Sequence, residues 1–172
     1  DWLLVSTTYR SVAAIKTDGT LWSWGDGNYG VQGHGNTSDY SSPVQVGALT
    51  TWSKISGGTR WNLAVKTDGT LWAWGYNNNG QLGQGNTTNY SSPVQVGALT
   101  DWSEVGVGTY TSYAIKTDGT LWSWGQGTNG ALGDGTATSK SSPVQIGALT
   151  TWLKCAGAYM GGRAIKTDGT FW

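Results

Sequence analysis

The stretch KTDGTLWAWG at residues 66–75 decides the fold, because it contains two strand segments joined by a tight turn. Asp68-Gly69 is a two-residue loop of the kind preferred in a primed β-turn, where both central residues take positive φ. The segments before it, Leu63 to Lys66, and after it, Thr70 to Trp74, have the composition and length of strands. The stretch therefore predicts an antiparallel hairpin.

The same stretch recurs every 50 residues along the chain. Its KTDGT part begins at Lys16, Lys66, Lys116 and Lys166, a later SSPVQ begins at Ser41, Ser91 and Ser141, and a tryptophan opens each unit at Trp2, Trp52, Trp102 and Trp152. Self-similarity at such a period is typical of repeat architectures. We therefore treat residues 1–172 as a single repeat array, with units 1–50, 51–100 and 101–150 and a partial unit 151–172.

Each unit contains two further strand segments, which extend the hairpin to four strands. In the second unit, Trp52 to Ser56 precedes the hairpin, and Pro93 to Val96 follows a long segment rich in Gly and Asn. A proline is tolerated at the first position of a strand because its missing N–H need not enter the ladder. Four short antiparallel strands in fifty residues is the layout of a β-propeller blade. We predict an all-β chain of about three and a half blades.

The tryptophans of the hairpin indicate how the blades pack. Trp72 and Trp74 lie two residues apart and so share one face of the sheet, whereas Leu71 and Ala73 lie on the other. Large apolar side chains on both faces suit a sheet that is covered on both sides. We expect the recurring tryptophans to pack between blades.

Composition narrows the function classes. Ten basic residues balance ten acidic ones, and only 12% of residues are charged, so the basic footprint of nucleic-acid and anionic-membrane binders is missing. We therefore expect no nucleic acid and no membrane as partners. The single Cys155 excludes an intrachain disulfide. Abundant Thr, Ser and Asn with few charges favour an extracellular or virion protein.

Residues that could bind a metal ion or act in catalysis each have a structural interpretation within the repeat. The segment Asp26 to Gly30 resembles a calcium loop only superficially, since its counterparts Tyr76 and Gln126 carry no carboxylate. His34 has no evident partners and is interpreted as a surface loop residue, and Cys155 occupies an apolar core position.

The remaining acidic residues give no catalytic pattern either. Asp18, Asp68, Asp118 and Asp168 belong to the turns, and Glu104 is the only glutamate, so no acid–base pair stands out. We predict no enzymatic activity, no metal site and no cofactor.

Variation among the units confines a binding surface to loops. The link between the first and second strands differs most (STTYRSVA, SGGTRWNLA, GVGTYTSYA, AGAYMGGRA), and the Gly-rich segment also varies. Candidate binding residues in the link are of types enriched at interface hot spots: Tyr9, Arg10, Arg60, Trp61, Tyr110 and Tyr159. Trp61 is the tryptophan that does not recur, so core packing explains it least. The alternative is that the loops vary because little constrains them and that Trp61 caps a core edge.

The segments GTLWAWG, NNNGQLGQG and SSPVQV, with their counterparts in the other units, resemble the regulator of chromosome condensation type of repeat. The resemblance covers essentially the whole chain and implies a seven-bladed propeller. A His-Ser pair that this family often places before the second strand is replaced by Ser11-Val12, Trp61-Asn62, Thr111-Ser112 and Gly161-Gly162. Neither an inserted wedge nor a basic tail, of the kind used for exchange activity or nucleosome binding, is present in the sequence.

The resemblance implies protein recognition, the property common to the family's exchange factors, chromatin binders and bacterial inhibitors. We expect a non-enzymatic structural and interaction module that displays variable loops to a protein or glycan, on a virion or bacterial surface. The alternatives are an intracellular regulator that binds a small GTPase or chromatin, and a glycan-hydrolysing accessory of a phage fibre. The half-complete ring also predicts further blades, either from the same longer chain or from a second copy.

Overall fold

The computed structural model describes residues 1–159 and 161–172, in which fourteen strands form four antiparallel sheets. Apart from two short 3₁₀ turns, Asn28–Gly30 and Thr128–Gly130, the ordered elements are strands. No helical segment in the described part of the chain has the length and apolarity of a membrane span. The strands are β1 (Trp2–Thr7), β2 (Ser11–Lys16), β3 (Leu21–Gly25), β4 (Tyr40–Gln45), β5 (Trp52–Gly57), β6 (Trp61–Lys66), β7 (Leu71–Gly75), β8 (Tyr90–Gln95), β9 (Trp102–Val107), β10 (Thr111–Lys116), β11 (Leu121–Gly125), β12 (Lys140–Gln145), β13 (Trp152–Ala158) and β14 (Gly161–Lys166).

The sheets are successive propeller blades. Strands β1 to β4, β5 to β8 and β9 to β12 each form a four-stranded meander, and β13 pairs with β14 in a partial fourth blade. Neighbouring blades contact each other through their first strands, β1 with β5, β5 with β9 and β9 with β13. The first strands therefore form the inner edge of the array, and the prediction of an all-β chain of three full blades and a partial one is confirmed.

The bounds of the strands differ from the sequence prediction at the outer edge. Pro93 lies inside β8, so the prediction that it opens the fourth strand is wrong. Strand β8 pairs only with β7, and its register shifts between Ala73 and Gly75. An irregular position in an outermost strand tolerates a residue that has no N–H to donate. The second strand, β6, also begins earlier than predicted, at Trp61.

The hairpin turn is not the predicted primed turn. Gly69 has φ +76°, but Asp68 is not among the residues with positive φ. The N–H of Gly69 donates to the carbonyl of Lys66 (3.0 Å), and the N–H of Lys66 donates to the carbonyl of Thr70 (3.0 Å). These bonds define a three-residue loop that ends in a left-handed glycine, the other common hairpin connection.

The core lies between blades, as the alternation of side chains predicts. Trp74 packs with Ile15 and Leu21 of the first blade, whereas Leu71 packs in a cluster with Trp124 of the third blade. Trp74 Nε1 also donates to the carbonyl of Val31 in the preceding blade (2.9 Å), and Trp124 Nε1 donates to that of Gln81 (2.9 Å). The recurring tryptophans thus bind neighbouring blades together through both apolar and polar contacts.

The same loop carbonyl accepts a second bond from the following blade at the first two interfaces, and the donor differs between them. Asn62 Nδ2 donates to Val31 (3.0 Å), and Ser112 Oγ donates to Gln81 (2.7 Å). These donors occupy the second position of the replaced His-Ser pair. In both units the residue at this position therefore makes a hydrogen bond between blades.

At the third interface the equivalent carbonyl has a partner within its own blade. Gly162 stands at the position of Asn62 and has no side chain, but Tyr113 OH donates to the carbonyl of Ala131 (2.6 Å). The Tyr113 ring lies over Gly162, where a Cβ would come within 2.6 Å of the ring. Tyr113 thus satisfies the carbonyl of its own blade, where the first two interfaces use a donor from the following blade.

The two lateral ends of the array are uncovered. Trp52 and Trp102, which face a preceding blade, are each 3% exposed, whereas the equivalent Trp2 is 46% exposed. At the opposite end, Phe171 and Trp172 are largely exposed. Both ends therefore present the apolar surface that interior blades bury against each other.

Candidate functional site

Connections leave the blades at two opposite ends. The loop face consists of the links after the first strands and the long loops after the third strands, namely residues 8–10, 58–60, 108–110 and 159 with 26–39, 76–89 and 126–139. The turn face consists of the hairpin turns and the linkers between blades, namely residues 17–19, 67–69, 117–119 and 167–169 with 46–51, 96–101 and 146–151. A meander of antiparallel strands places alternate connections at opposite ends. The variable segments therefore all lie on the loop face.

Hydrogen bonds between blades hold the links of the loop face side by side. The N–H of Tyr9 donates to the carbonyl of Thr59 (3.1 Å), and Thr59 Oγ1 donates to the carbonyl of Thr109 (3.3 Å). The N–H of Thr109 in turn donates to the carbonyl of Ala158 (3.3 Å). The four links form one continuous arc around the inner edge.

Five of the six candidate binding residues lie on this arc with exposed side chains: Tyr9, Arg10, Arg60, Tyr110 and Tyr159. Tyr9 and Tyr159 border one shallow hollow over glycines of the links, and Tyr110 and Tyr159 border a second. The structure thus brings together residues that are up to 150 positions apart in the sequence. Their binding role stays a prediction.

Trp61 is the exception, because its side chain is 0% exposed. It packs in the cluster between the second and third blades with Leu63 and Trp124. The Trp61 ring fits because Gly58 lies against it, where a Cβ would come within 2.6 Å of the indole. Core packing therefore does explain Trp61, in line with the alternative interpretation that it belongs to a core edge.

Two tyrosines outside the predicted binding residues contact Arg60, Tyr29 through its side chain and Tyr76 through its backbone. Arg60 Nη1 donates to Tyr29 OH (3.3 Å), and its guanidinium carbon lies 5.0 Å from the centre of the Tyr29 ring. The rings of Tyr29 and Tyr76 meet edge to face at 4.9 Å. The N–H of Tyr76 donates to the carbonyl of Arg60 (2.9 Å), so backbone and side chain are both fixed. The sequence did contain a signal for these two tyrosines, because the other units carry no tyrosine at the equivalent positions.

Tyr29 itself has an unusual backbone. Its φ is +61°, in the left-handed region, where the third unit has Asn129 with φ +58°. Asparagine is enriched in this conformation, and a bulky side chain is rare there, at a cost of about 1 kcal/mol or more. The first unit thus accepts backbone strain to place a phenol ring beneath Arg60.

Arg10 lies next to a carboxylate of its own blade. Its Nη1 is 3.9 Å from Asp26 Oδ2, while Asp26 Oδ1 accepts the N–H of Asn28 (2.8 Å). Asp26 therefore closes a turn, which agrees with the structural interpretation of the segment Asp26 to Gly30. In the described residues, no group of three or more His, Cys, Asp or Glu side chains is placed to hold a metal ion.

The turn aspartates form hydrogen bonds within their own hairpin turns. Asp68 Oδ1 accepts the hydroxyl (2.6 Å) and the N–H (3.0 Å) of Thr70, whose hydroxyl accepts Trp72 Nε1–H (2.8 Å). The hydroxyl bond and then the backbone bond of Thr70 lower the pKa of Asp68. The same arrangement recurs at Asp18, Asp118 and Asp168.

Two further candidates have structural roles. Cys155 packs against Ile115, Leu121 and Ala164, and burial raises the pKa of its thiol to about 12, so it is not an activated nucleophile. His34 is half-buried, and its Nε2 lies 2.9 Å from Ser23 Oγ. The loop that carries His34 thus folds back onto its blade, and burial lowers the pKa of the imidazole.

Comparison with solved structures gives the fold independently. The chain aligns with human WBSCR16 at a TM-score of 0.83 and 19% identity, covering 96% of this chain and 44% of that one. It aligns with Prp20p from Saccharomyces cerevisiae, described with its binding properties to Gsp1p and histones, at 0.82 and 19%, covering 95% and 43%. It aligns with yeast RCC1 (Prp20) bound to Kap60 at 0.85 and 19%, covering 99% and 43%. The chain spans less than half the length of these structures.

Family models match the chain in the same repeating pattern that the sequence shows. The family model described as the regulator of chromosome condensation (RCC1) repeat matches residues 18–65, 68–115 and 118–161. A second model of the same description matches residues 52–81 and 102–131. Together with the four-stranded blades and the recurring tryptophans, these matches show that the chain belongs to the RCC1 repeat family.

Proposed function

We propose that the chain is a non-enzymatic interaction module whose loop face contacts a partner protein. The observation that carries the proposal is the arc of exposed tyrosine and arginine side chains on links that the blades hold rigidly. Tyrosine and arginine are the types that dominate interface hot spots, and a rigid support lowers the entropic cost of binding. The turn face, by contrast, is nearly identical from unit to unit.

Members of the family supply a precedent for protein recognition. Prp20p is described with binding to Gsp1p and histones, and yeast RCC1 is described in complex with Kap60. These binding partners are described for Prp20p and yeast RCC1, not for this chain. For this chain we place the module on a cell or virion exterior, because its net charge is zero and it lacks the basic surface that chromatin binding uses. Recovery of the chain with the cytosolic fraction of its source, and not with the cell surface or particles, would refute that location.

The loop face can be tested with a matched control on the opposite face. In the test variant, Tyr9, Arg10, Arg60, Tyr110 and Tyr159 are changed to Ala; in the control, the exposed Leu49, Leu99 and Leu149 of the turn face are changed to Ala. Quantitative mass spectrometry of proteins captured from the source organism should show at least about a tenfold loss of a specific partner in the test variant only, which equals about 1.4 kcal/mol. Equal capture by both variants, at unchanged melting temperature, contradicts the proposal. Binding to a glycan array with no protein partner would make a glycan the ligand instead.

We further propose that another blade of this repeat covers each lateral end. Every interior interface places a tryptophan such as Trp52 against the preceding blade, and the equivalent Trp2 is uncovered. An apolar surface of this kind favours association. The covering blade could come from a second copy of the chain, and sedimentation at micromolar concentration tests that case. A strict monomer would contradict a second copy and leave further blades of a longer chain as the cover.

A further inference from the structure

We infer that a cleft between the third blade and the partial fourth blade binds the side chain of a tryptophan, carried by a strand that pairs with the outer edge of β14. The inference rests on the proposal that a blade of this repeat covers each lateral end, and it names the side chain that the cover inserts. This lateral cleft has a volume of about 370 Å³, and its walls include Leu121, Ala131, Ile146 and Ala164.

The two interior interfaces show the same kind of site with a tryptophan bound in it. At the first interface, the indole of Trp74 packs in a cluster formed by side chains of the first two blades, namely Ile15, Leu21, Val46, Trp52 and Ala64. Trp74 Nε1 donates to the loop carbonyl of Val31 (2.9 Å). Trp124 is bound in the same way at the second interface, where its Nε1 donates to the carbonyl of Gln81 (2.9 Å). Each site thus combines apolar walls with one backbone acceptor.

The lateral cleft has the equivalent walls at the third interface. Its lining includes the counterparts of four residues that surround Trp74, namely Leu121, Ile146, Trp152 and Ala164. These walls are less covered than their counterparts: Leu121 is 8% exposed, whereas Leu21 and Leu71 are 0% exposed. The third interface therefore presents a surface of the kind that the first two bury around an indole.

Equivalent glycines locate the open space within the cleft. A Cβ at Gly33 would lie 3.0 Å from Trp74 Nε1 and 3.1 Å from Val46. At the equivalent Gly133, among the residues that the structure describes, only Ile146 would lie within 4 Å of such a Cβ, at 3.7 Å. The space that the indole fills at the first interface is thus open at the third.

The carbonyl of Ala131 supplies the acceptor for an indole N–H. It is the counterpart of the Val31 carbonyl, which accepts both Trp74 Nε1 and Asn62 Nδ2. The Ala131 carbonyl accepts Tyr113 OH (2.6 Å), and a carbonyl oxygen has two lone pairs. It therefore has the capacity for one further donor, as Val31 shows.

The backbone beside the cleft begins a strand in the register that delivers this side chain. The N–H of Trp172 donates to the carbonyl of Ala164, and the N–H of Ala164 donates to the carbonyl of Trp172 (2.9 Å each). In the second and third blades the third strand pairs in this register, and the residue two positions later is the tryptophan bound between blades. A strand that keeps the register brings its equivalent residue opposite Gly162, which lines the cleft.

Size and polarity favour tryptophan over the other aromatic residues. The cleft is larger than the cavities of about 150 Å³ that accept a benzene ring, so a phenyl group would leave part of it unfilled. Tryptophan offers the largest apolar surface together with a single N–H donor. That combination matches apolar walls that carry one available carbonyl.

The cleft can be tested on the full chain with 3-methylindole, which is the tryptophan side chain without its backbone. Methyl signals of ¹³C-labelled Ile146 and Val46 are assigned through single conservative variants and followed during the titration. The Ile146 signal should shift and saturate with a dissociation constant of about 1 mM or lower, an ordinary value for about ten non-hydrogen atoms. The Val46 signal is the internal control and should not shift, because Trp74 occupies its site.

A second probe tests the hydrogen bond to Ala131. The compound 1,3-dimethylindole keeps the bicyclic ring but has no N–H. It should bind about fivefold more weakly than 3-methylindole, the loss expected for one neutral hydrogen bond.

A short addition to the chain tests the strand. Adding Ser-Trp-Gly after Trp172 repeats the sequence of residues 123–125 and places a tryptophan two positions beyond Trp172. This variant should melt at a higher temperature than the unmodified chain, because it buries apolar surface, and should no longer bind 3-methylindole. Adding Ser-Ala-Gly is the matched control, which should melt below the Ser-Trp-Gly variant and still bind 3-methylindole.

The outcomes that overturn the inference are distinct from those that overturn the proposed cover. No shift at Ile146, equal shifts at Ile146 and Val46, equal affinity for the two indoles, or equal melting temperatures of the two extended chains each contradict a tryptophan site. If 3-methylindole does not bind but copies of the chain associate through their lateral ends, the proposal of a covering blade stands and only this inference fails.

Discussion

Gln32 occupies a position that the other units fill with leucine. It is 0% exposed, as is its counterpart Leu82, and Leu132 is equally buried. Gln32 Nε2 donates to the carbonyl of Asp26 (2.9 Å), but Oε1 has no hydrogen-bond partner among the described residues. A buried acceptor without a partner costs about 1–3 kcal/mol. The first blade therefore carries a polar group in a slot built for an apolar one.

Replacing that glutamine should stabilise the protein. Gln32→Leu loses one neutral hydrogen bond, removes the unpaired oxygen and adds apolar burial, so the free energy of unfolding should rise by about 1 kcal/mol. Urea denaturation followed by tryptophan fluorescence measures the change. Leu82→Gln is the reverse control and should lower the free energy of unfolding by more than about 2 kcal/mol. A lower stability of Gln32→Leu would mean that the bond to Asp26 outweighs the unpaired oxygen.

At this scale the sequence predicts what recurs better than what varies. The sequence predicts that the recurring tryptophans lie in the core, but for Trp61, which occurs once, it leaves both a binding surface and a core edge open. Its burial depends on Gly58, three residues earlier, whereas the first unit pairs Thr8 with Ser11 at the same two positions. Size compensation of this kind depends on which side chains meet in space, so it is not visible in either position alone.

The hairpin turn is the element in which one glycine satisfies two separate requirements. Gly69 has φ +76°, and a Cβ at this position would lie 2.0 Å from the carbonyl oxygen of Thr100, in the linker to the next blade. The N–H of Trp102 donates to the carbonyl of Gly69 (3.1 Å). The turn therefore holds the linker as well as reversing the chain.

Two alanine substitutions separate these requirements. Gly97→Ala, at φ +63° with no atom within 4 Å, should cost only the backbone strain, about 1 kcal/mol. Gly69→Ala adds the clash with Thr100 and should cost about 3 kcal/mol or more. Thermal or urea denaturation of both variants measures the difference. Equal losses would show that the linker moves away freely and does not hold the turn.

The sequence predicts the existence of these elements and misses some details of their geometry. Four strands per unit follow from hydrophobic pattern and turn residues. An Asp-Gly pair suits both a two-residue primed turn and a three-residue loop, so the pair alone does not choose between them. The packing of the linker on Gly69 is a long-range contact, which the pair does not specify either. Pro93 likewise sits inside β8 because that strand is outermost, which only the assembled sheet determines.

Across the whole molecule, one ion-pair ladder joins three blades at the inner edge. Glu104 Oε1 accepts from Lys54 Nζ (3.0 Å) and Lys154 Nζ (2.7 Å), each 50 residues away. Burial acts to raise the pKa of Glu104, but the bonds to Lys154 and Lys54 outweigh it, so the pKa lies below its ordinary value of 4.5. A lowered pKa means that the folded state favours the ionised carboxylate.

This ladder predicts a dependence of stability on acid. The contribution of Glu104 is fully present above pH 4.5 and is lost as the pH falls through the lower pKa of the folded state. At pH 7 the wild type should exceed Glu104→Gln by about 1 kcal/mol, and the difference should vanish at strongly acidic pH. Urea midpoints of both proteins over this range check it. Protonation of the turn aspartates lowers the stability of both proteins equally. A stability difference between the wild type and Glu104→Gln that does not change with pH would therefore contradict the role of the ladder.

At this scale the sequence predicts the arc of loops but only part of the candidate site. A meander places the links after the first strands on one face, so Tyr9, Tyr110 and Tyr159 follow from topology. The contact of Arg60 with Tyr29 joins residues of different blades, 31 positions apart. No periodicity within the sequence points to that pair, and it depends on the left-handed backbone at Tyr29.

The changing partner of the loop carbonyl has a consequence for folding. Near-identical repeats can dock on the wrong neighbour and become trapped in misassembled states. Tyr113 lies where a side chain at position 162 would be, so the third blade accepts a neighbour with glycine there and clashes with one that carries Asn62 or Ser112. The Tyr113–Gly162 contact should therefore disfavour docking of the third blade on any blade that has Asn or Ser at this position.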